Sequence, residues 1–439
     1  MRKIALMGME IPTLLPGLMA DLLFAEKQPA EVALLEGNPA MQEVLRGYGE
    51  SVIRRSGLEA KMTVSGELPE VLRGADAVIY ADDCMPASRF AMDRQALEGE
   101  NDDDPGLANQ ARINGGIGGL MHTLRSGSLV LDTCGELREY CPQALVINLS
   151  QPVARTTELF TRQGFRCFGL GPSPLRGSSG LDRLCERMSR KTDSVRAEIA
   201  GLPGFAFLLS LEDKKDGEDL LPQLIYRAQH GELGRLSARW LDWWGALPVG
   251  DVTAHAELLP EQEDYQPPER PQFGETVEQR KQRILDMNTV AQQGASSRDG
   301  ALHQASLLSR VSPVRPMRLA MALLEEKDLE MPAVTRVNRG ALPQLPASAV
   351  IEAPLTLEKG EVRAESIRLP GSLEEIMGEV AETNHLAALT AEGDRSALRE
   401  CLEIDPALAG LDRLYCLDLV NSLIRLHEDV LPRWREEEE

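Results

Sequence analysis

The opening of the chain places the tightest constraint on its fold. Lys3–Met7 is a short, mostly apolar run that stops at Gly8. Thr13–Phe24 then carries Leu14, Leu15, Leu18, Met19, Leu22 and Leu23 at helical spacing. Val32–Leu35 is a second apolar run, closed by Glu36-Gly37-Asn38-Pro39, and a helical pattern follows through Met41–Arg54. Runs without alternation, separated by helices, predict strands buried on both faces of a parallel sheet. The order of strand, glycine turn, helix, strand and acidic residue is that of a dinucleotide-binding domain. It holds in outline only. After Gly8 the sequence reads Met9-Glu10-Ile11-Pro12-Thr13, so one glycine of the expected G-x-G-x-x-G remains.

Ala75–Ala81 is expected as the third strand, and Leu145–Leu149 and Cys167–Leu170 as two more. The pattern changes near Gly201. Val195–Ile199, Leu221–Tyr226 and Ser237–Trp244 are predicted helical, and Pro260–Gly300, rich in Glu, Gln and Pro, is predicted at the surface. A helix at Met317–Glu326 and strands near Ala333–Val337 and Ala349–Glu352 come next, then helices over Leu373–Ala391, Arg395–Ile404 and Asp412–Asp429. The expected fold is therefore α/β. Residues 1–170 form a Rossmann-like, degenerate dinucleotide-binding domain, and residues 171–439 a mixed α+β domain for substrate and oligomerisation.

Charge narrows the partners. Lys and Arg number 47 against 69 Asp and Glu, a net charge of −22. Such a surface repels phosphate backbones and anionic lipid, which argues against nucleic acid and membrane as partners. Seven cysteines, an odd count without a C-x-x-C, read as reduced thiols. No apolar stretch is long enough to cross a bilayer, and Glu10 and Pro12 interrupt the first apolar run too early for a signal sequence. The expectation is a cytoplasmic protein.

Several segments in order carry a family resemblance. Arg138-Glu139-Tyr140-Cys141-Pro142-Gln143-Ala144-Leu145-Val146-Ile147-Asn148 is followed by Ser150-Gln151-Pro152-Val153-Ala154-Arg155-Thr156-Thr157-Glu158. Gly116-Ile117-Gly118-Gly119 stands ahead of Thr123-Leu124-Arg125. Further on come Lys215-Asp216-Gly217-Glu218-Asp219-Leu220-Leu221-Pro222, then Gly250-Asp251 with His255, Glu257 and Pro260. Asn338-Arg339-Gly340-Ala341-Leu342-Pro343, Gly393-Asp394-Arg395 and Asp405-Pro406 complete the set. Together they resemble glycoside hydrolase family 4, whose members include NAD- and metal-dependent α-glucosidases, α-galactosidases and 6-phospho-glucosidases. The resemblance implies chemistry unlike the two-carboxylate scheme. NAD oxidises the sugar at C3, a tyrosine removes the C2 proton, a metal stabilises the enediolate, and elimination breaks the glycosidic bond.

The positions that matter most to that chemistry differ here. Glu10 stands at the second glycine of the phosphate turn, where a carboxylate repels a pyrophosphate or itself fills the anion site. Gly171 stands where the family has a metal-binding Cys, and Gly204 where it has a metal-binding His. Pro172 follows Gly171, a position often polar in the family. A substrate-binding Arg falls at Asp82-Asp83, and the region of the tyrosine base falls at Val311-Ser312, with no tyrosine between Tyr265 and Tyr415. Cys167, upstream of Gly171, reads as a core residue of the strand.

The resemblance leaves Gly8 and Glu36 as the cofactor positions, Glu36 being either a ribose ligand or a loop carboxylate. NAD binding stays open, with Glu10 against it, and the Mn2+ site is expected to be lost. Asn148, Gln151, Asp251 and His255 are the candidate substrate-binding residues, and no catalytic or metal-binding residue is assigned. Asp251, His255 and Glu257 are read either as a polar cluster for a cation or sugar or as a hydrogen-bonded loop. Trp240-Trp243-Trp244 reads as core rather than as a sugar platform, and Asn101–Asp104 as a solvated charge run. The expected protein is a non-catalytic or re-purposed member that binds a sugar or sugar phosphate and forms a dimer or tetramer. The alternative is an active glycosidase or 6-phospho-glycosidase with an altered site.

Overall fold

Residues 2–23, 29, 31–82, 87–99, 110–171, 173–260, 277–293 and 314–435 are described by the computed structural model. The apolar run at the start is strand β1 (Lys3–Met7), which leads into α1 (Ile11–Leu23), β2 (Glu31–Leu35), α2 (Pro39–Ser56), β3 (Lys61–Ser65), α3 (Leu68–Leu72) and β4 (Ala77–Tyr80). After α4 (Ala87–Gly99) come α5 (Gly116–Tyr140), β5 (Leu145–Asn148), α6 (Val153–Arg162) and β6 (Cys167–Gly169). The next elements are α7 (Ser173–Arg176), α8 (Leu181–Arg187), β7 (Val195–Leu202), β8 (Phe205–Asp213), α9 (Leu221–Gln229), α10 (Arg235–Trp244), β9 (Leu247–Val249), α11 (Val252–Glu257) and α12 (Val277–Gln293). The chain continues through α13 (Pro316–Leu324), β10 (Leu329–Val337), β11 (Val350–Glu358), β12 (Glu361–Val362), α14 (Glu374–Ala391), α15 (Arg395–Ile404) and α16 (Arg413–Leu426).

Among the described residues the strands form one sheet, in the order β3-β2-β1-β4-β5-β6-β10-β11-β7-β8-β9, with β12 beside β11. From β3 to β6 all pairs are parallel, in the order of a dinucleotide-binding domain. From β6 onward they are antiparallel. The expected α/β fold is therefore present, but its second half is an extension of the same sheet, because β10 pairs with β6 at Thr335 and Gly169.

Helices cover both faces of the parallel part. On one side, Ile11, Leu15, Met19 and Leu22 of α1 pack with Met317 and Leu319 of α13 and Met287 of α12. On the other, Leu120, Leu124 and Val130 of α5 pack with Leu398, Val420 and Leu423 of the terminal helices. A buried ionic triad reinforces this second side. Arg125 on α5 donates to both carboxylate oxygens of Asp93 on α4, at 3.2 and 2.8 Å, and His427 Nε2 lies 2.6 Å from Asp93 Oδ1. Arg89 donates to His427 Nδ1 at 3.2 Å, so the imidazole proton sits on Nε2 and points at Asp93. Removing Arg125 or Asp93 from this buried set leaves an uncompensated charge.

Two expectations need correction. Lys61–Ser65 is a strand that was not anticipated, so Ala77–Tyr80 is the fourth, not the third. Val195–Ile199, expected as helix, belongs to β7, because its backbone groups pair with β8 from Val195↔Asp213 to Leu202↔Phe205. The segments expected as helices at Leu221–Tyr226, Ser237–Trp244 and near the C-terminus are helices. Asn101–Asp104 lies outside the described residues, and of Pro260–Gly300 only Pro260 and α12 lie within them.

One acidic group is out of place in the sheet. Glu352 on β11 is buried, pairs with Thr335 and Gly201 in register, and has an Oε2 with no hydrogen-bond partner. Burial pushes its carboxyl up to about 8. The folded state therefore holds a proton that the unfolded chain releases near the ordinary value of 4.5, so stability falls as pH rises from there towards about 8. Glu352→Gln removes that dependence. Thermal melts are expected to show the variant gaining on the native chain as pH rises across this window, by on the order of 4 kcal/mol at its upper end.

Candidate functional site

In a sheet of this order, ligands bind outside the carboxyl ends of the parallel strands, where the connections diverge on either side of β1. Gly8 ends β1 with φ +118°, and a Cβ there would lie 2.2 Å from the Ala81 carbonyl oxygen. The close approach of the β1 and β4 ends therefore requires glycine. The turn that follows is closed by hydrogen bonds of its own, from the Glu10 amide to Ala81 O at 3.0 Å and from the Ile11 amide to Gly8 O at 3.1 Å.

Glu36 ends β2, one strand away. Its Oε1 accepts the Asn38 amide at 2.8 Å, and its carbonyl accepts Gln42 Nε2 at 2.7 Å. Asn38 in turn caps α2 by accepting the amides of Ala40 and Met41. Glu36 thus shapes the loop into α2.

Asn148 ends β5 and is fully buried. Its Nδ2 donates to the hydroxyls of Thr156 and Thr157 at 2.9 and 3.0 Å, and its Oδ1 accepts the Ser150 amide at 3.0 Å. These bonds fix the connection into α6. Gln151 is half-buried in that connection and precedes Pro152 through a cis peptide.

Gly171 follows β6, and a Cβ there would meet only Val153 Cγ1 at 3.8 Å. Gly204 sits in the turn between β7 and β8 with φ +80°, and its nearest neighbours would be Ala254 Cβ and Leu258 Cδ1, both at 3.9 Å. Both positions have open space and carry no side chain, and at Gly204 the positive φ would strain any residue with a Cβ. Cys167 is buried inside β6, where burial raises its thiol well above the ordinary range. Asp83, Pro172 and Val311-Ser312 lie outside the described residues.

Helix α11 brings the second half of the chain to this end of the sheet. Asp251 is its N-cap. Asp251 Oδ1 accepts the Thr253 amide at 3.0 Å, the Thr253 hydroxyl at 2.8 Å and the Ser178 hydroxyl at 3.3 Å, while its own amide donates to Ser173 Oγ at 2.8 Å. His255 is enclosed by Phe205, Phe207 and Trp240, with the Trp240 ring stacked at 5.6 Å. Its Nδ1 lies 3.0 Å from Asp251 O and its Nε2 2.9 Å from Ala206 O. Burial lowers its pKa, and a neutral ring donates to only one of these carbonyls. Glu257 is also engaged. Its Oε2 accepts the amides of Ile113 and Asn114 at 3.2 and 2.9 Å and Asn114 Nδ2 at 2.6 Å.

The structure brings Asp251 and His255 together on α11 beside Gly204, and sets Asn148 and Gln151 on the β5–α6 connection beside Gly171. Gly8 and Glu36 stand apart, on β1 and β2. The Trp240 ring is core and Trp243 is exposed. Sequence reasoning did not foresee the groups around the start of α5. Arg112 Nη1 donates to Glu257 O and Leu259 O at 2.9 and 2.8 Å, Asp405 Oδ2 accepts the Gly116 amide at 3.1 Å, and buried Arg155 donates to Gly119 O and the Thr123 hydroxyl. Gly116, Arg155 and Asp405 lie in segments that carry the family resemblance, but their mutual contacts are not legible locally because the partners lie far apart in sequence. Among the described residues, no group of three or more His, Cys, Asp or Glu is arranged to hold a metal ion.

The fold and this site define a Rossmann-type α/β protein whose sheet is extended by an antiparallel second half. The sequence model described as "Family 4 glycosyl hydrolase" matches residues 3–174, and that of the "Family 4 glycosyl hydrolase C-terminal domain" matches residues 199–408. The chain belongs to glycoside hydrolase family 4. It is 24% identical over 406 residues to an α-glucosidase of Erwinia rhapontici, covering 86% of this chain and 87% of that one. It is 23% identical over 334 residues to an α-galactosidase of Bacillus subtilis strain 168, covering 73% and 74%. The structure of a 6-phospho-α-glucosidase from gut microorganisms, in complex with NAD and Mn2+, matches it with a TM-score of 0.75, at 16% identity over 98% of both chains. At that identity the match shows the shared fold.

The contact at Gly8 makes a direct test. Gly8→Ala forces the ends of β1 and β4 apart and is expected to cost about 2 kcal/mol or more. Urea unfolding should show it as a lower midpoint with an unchanged slope.

Proposed function

We propose that this chain is a family 4 protein that binds a sugar or sugar phosphate and does not hydrolyse the glycosidic bond. One observation carries the reading. At both positions where the family resemblance puts a metal ligand, Gly171 and Gly204, the chain offers backbone alone, with space left where a side chain would stand. Other donors nearby do not take over. His255 has each ring nitrogen against a carbonyl, and Glu257 is held by the 113–114 loop. The residues present do not fit the Mn2+ site that the resemblance implies. The absence of any tyrosine between Tyr265 and Tyr415 removes the resemblance's proton-abstracting group as well.

The ligand class is drawn from a structural neighbour. The solved 6-phospho-α-glucosidase also exists as a complex with NAD and glucose 6-phosphate. In this chain Gln151 stands on the β5–α6 connection near Gly171, and Asp251, Thr253, Ser173 and Ser178 form a hydrogen-bonded polar cluster at the start of α11. Sugars are recognised by such groups through hydroxyl hydrogen bonds. On this reading, residues 1–170 act as scaffold and residues 171–439 hold ligand and assembly contacts, in a cytoplasmic homo-oligomer.

Two measurements test the proposal. The purified chain, supplied with NAD+ and Mn2+, is expected to release no nitrophenol from p-nitrophenyl α- and β-glycosides or their 6-phosphates. Turnover abolished by chelation would overturn the reading. The Gly171→Cys/Gly204→His double variant restores two ligand atoms and is expected to bind Mn2+ roughly tenfold or more tightly than the native chain, by calorimetry.

A further inference from the structure

In a dinucleotide-binding fold the pyrophosphate rests on open backbone amides at the first strand–helix turn, where the helix dipole favours its charge. Every amide from residue 10 to residue 13 is accounted for in this chain. Glu10 N donates to Ala81 O at 3.0 Å, Ile11 N to Gly8 O at 3.1 Å, and Thr13 N to Glu10 O at 3.0 Å. Residue 12 is proline and has no N–H. The turn therefore presents no unpaired donor over these four positions.

Charge and packing act in the same direction. The side chain at the second-glycine position is the Glu10 carboxylate. A carboxylate at that position disfavours a pyrophosphate beside it. Buried Arg283 of α12 donates to Pro12 O at 2.6 Å and to Thr13 Oγ1 at 3.4 Å, which holds α12 against the same turn. At the far end of the expected cofactor groove, Glu36 has one oxygen engaged by the Asn38 amide.

We infer that the first strand–helix turn is closed to dinucleotides: the chain keeps the cofactor domain's strand order but seats no NAD+, NADH or ADP-ribose there. Gly8 persists because of the Ala81 carbonyl, which stands against it whether or not a pyrophosphate is bound. The inference rests on the α1 amides and is separate from the missing metal ligands.

The test is a titration of the full-length chain with NAD+ by calorimetry and with NADH by nicotinamide fluorescence, with and without Mn2+. No saturable binding at millimolar cofactor is expected. One-to-one binding in the micromolar range would overturn the closure. The double variant Glu10→Gly/Pro12→Ser removes the carboxylate and returns an N–H to the turn. It is expected to gain roughly tenfold or more in affinity for NADH over the native chain. A folded double variant that binds no better would also overturn the assignment to these residues. If the variant does not fold, the native titration decides alone. A chain that binds NADH tightly yet cleaves no glycoside would sink this inference and leave the non-hydrolytic reading standing.

Discussion

The start of α5 is the contact on which the rest of the molecule depends. A Cβ at Gly115 would lie 2.1 Å from Glu257 O, and one at Gly118 would lie 2.3 Å from Arg112 O. Only glycine lets these backbones meet. Into the same junction come Asp405 from beyond α15, through the Gly116 amide, and Glu257 from α11, through the 113–114 amides. Arg112 returns the contact by donating to the carbonyls of Glu257 and Leu259. Three segments distant in sequence are thus fixed by hydrogen bonds between charged side chains and backbone, in a place with little water. Burial raises the Asp405 carboxyl, while the Ala407 and Gly116 amides and the nearby guanidinium groups of Arg155 and Arg112 pull it back.

That junction also settles an electrostatic question. The amino end of a long helix favours negative charge. At α5 the charge is internal, supplied by Asp405. At α1 the turn closes on the carbonyls of Ala81 and Gly8. The Gly116 amide at α5 and the Glu10 and Ile11 amides at α1 are thus bonded within the chain. The residues at this junction are held by packing and hydrogen bonds within the chain.

Much of the framework was legible in the sequence. The runs at Lys3–Met7, Val32–Leu35 and Leu145–Leu149 are short and mostly apolar without alternation, which suits interior strands, and helical patterns lie between them. Two elements were not legible, for a shared reason. Lys61–Ser65 lies at the sheet edge, where exposed Lys61 interrupts the apolar pattern. Val195 and Ile199 are four residues apart, a spacing that suits a helix face as well as a strand. The choice was made by Phe205–Asp213, which supplies partners for the backbone of β7.

The sequence by itself determined which atoms the chain lacks. Glycine at 171 and 204 carries no metal ligand and proline at 12 carries no amide proton, in whatever fold they occur. It also determined the layered α/β class, because hydrophobic spacing is a local property of the chain. What the remaining polar residues do was decided only by tertiary structure. His255, Glu257 and Asn148 were candidates for ligand contact on the sequence, and each is engaged by backbone, asparagine or threonine groups from another segment. Hydrogen-bond capacity is finite and short-ranged. Whether a polar side chain is open to a ligand therefore depends on which distant segments pack against it, and that information exists only once the chain has folded.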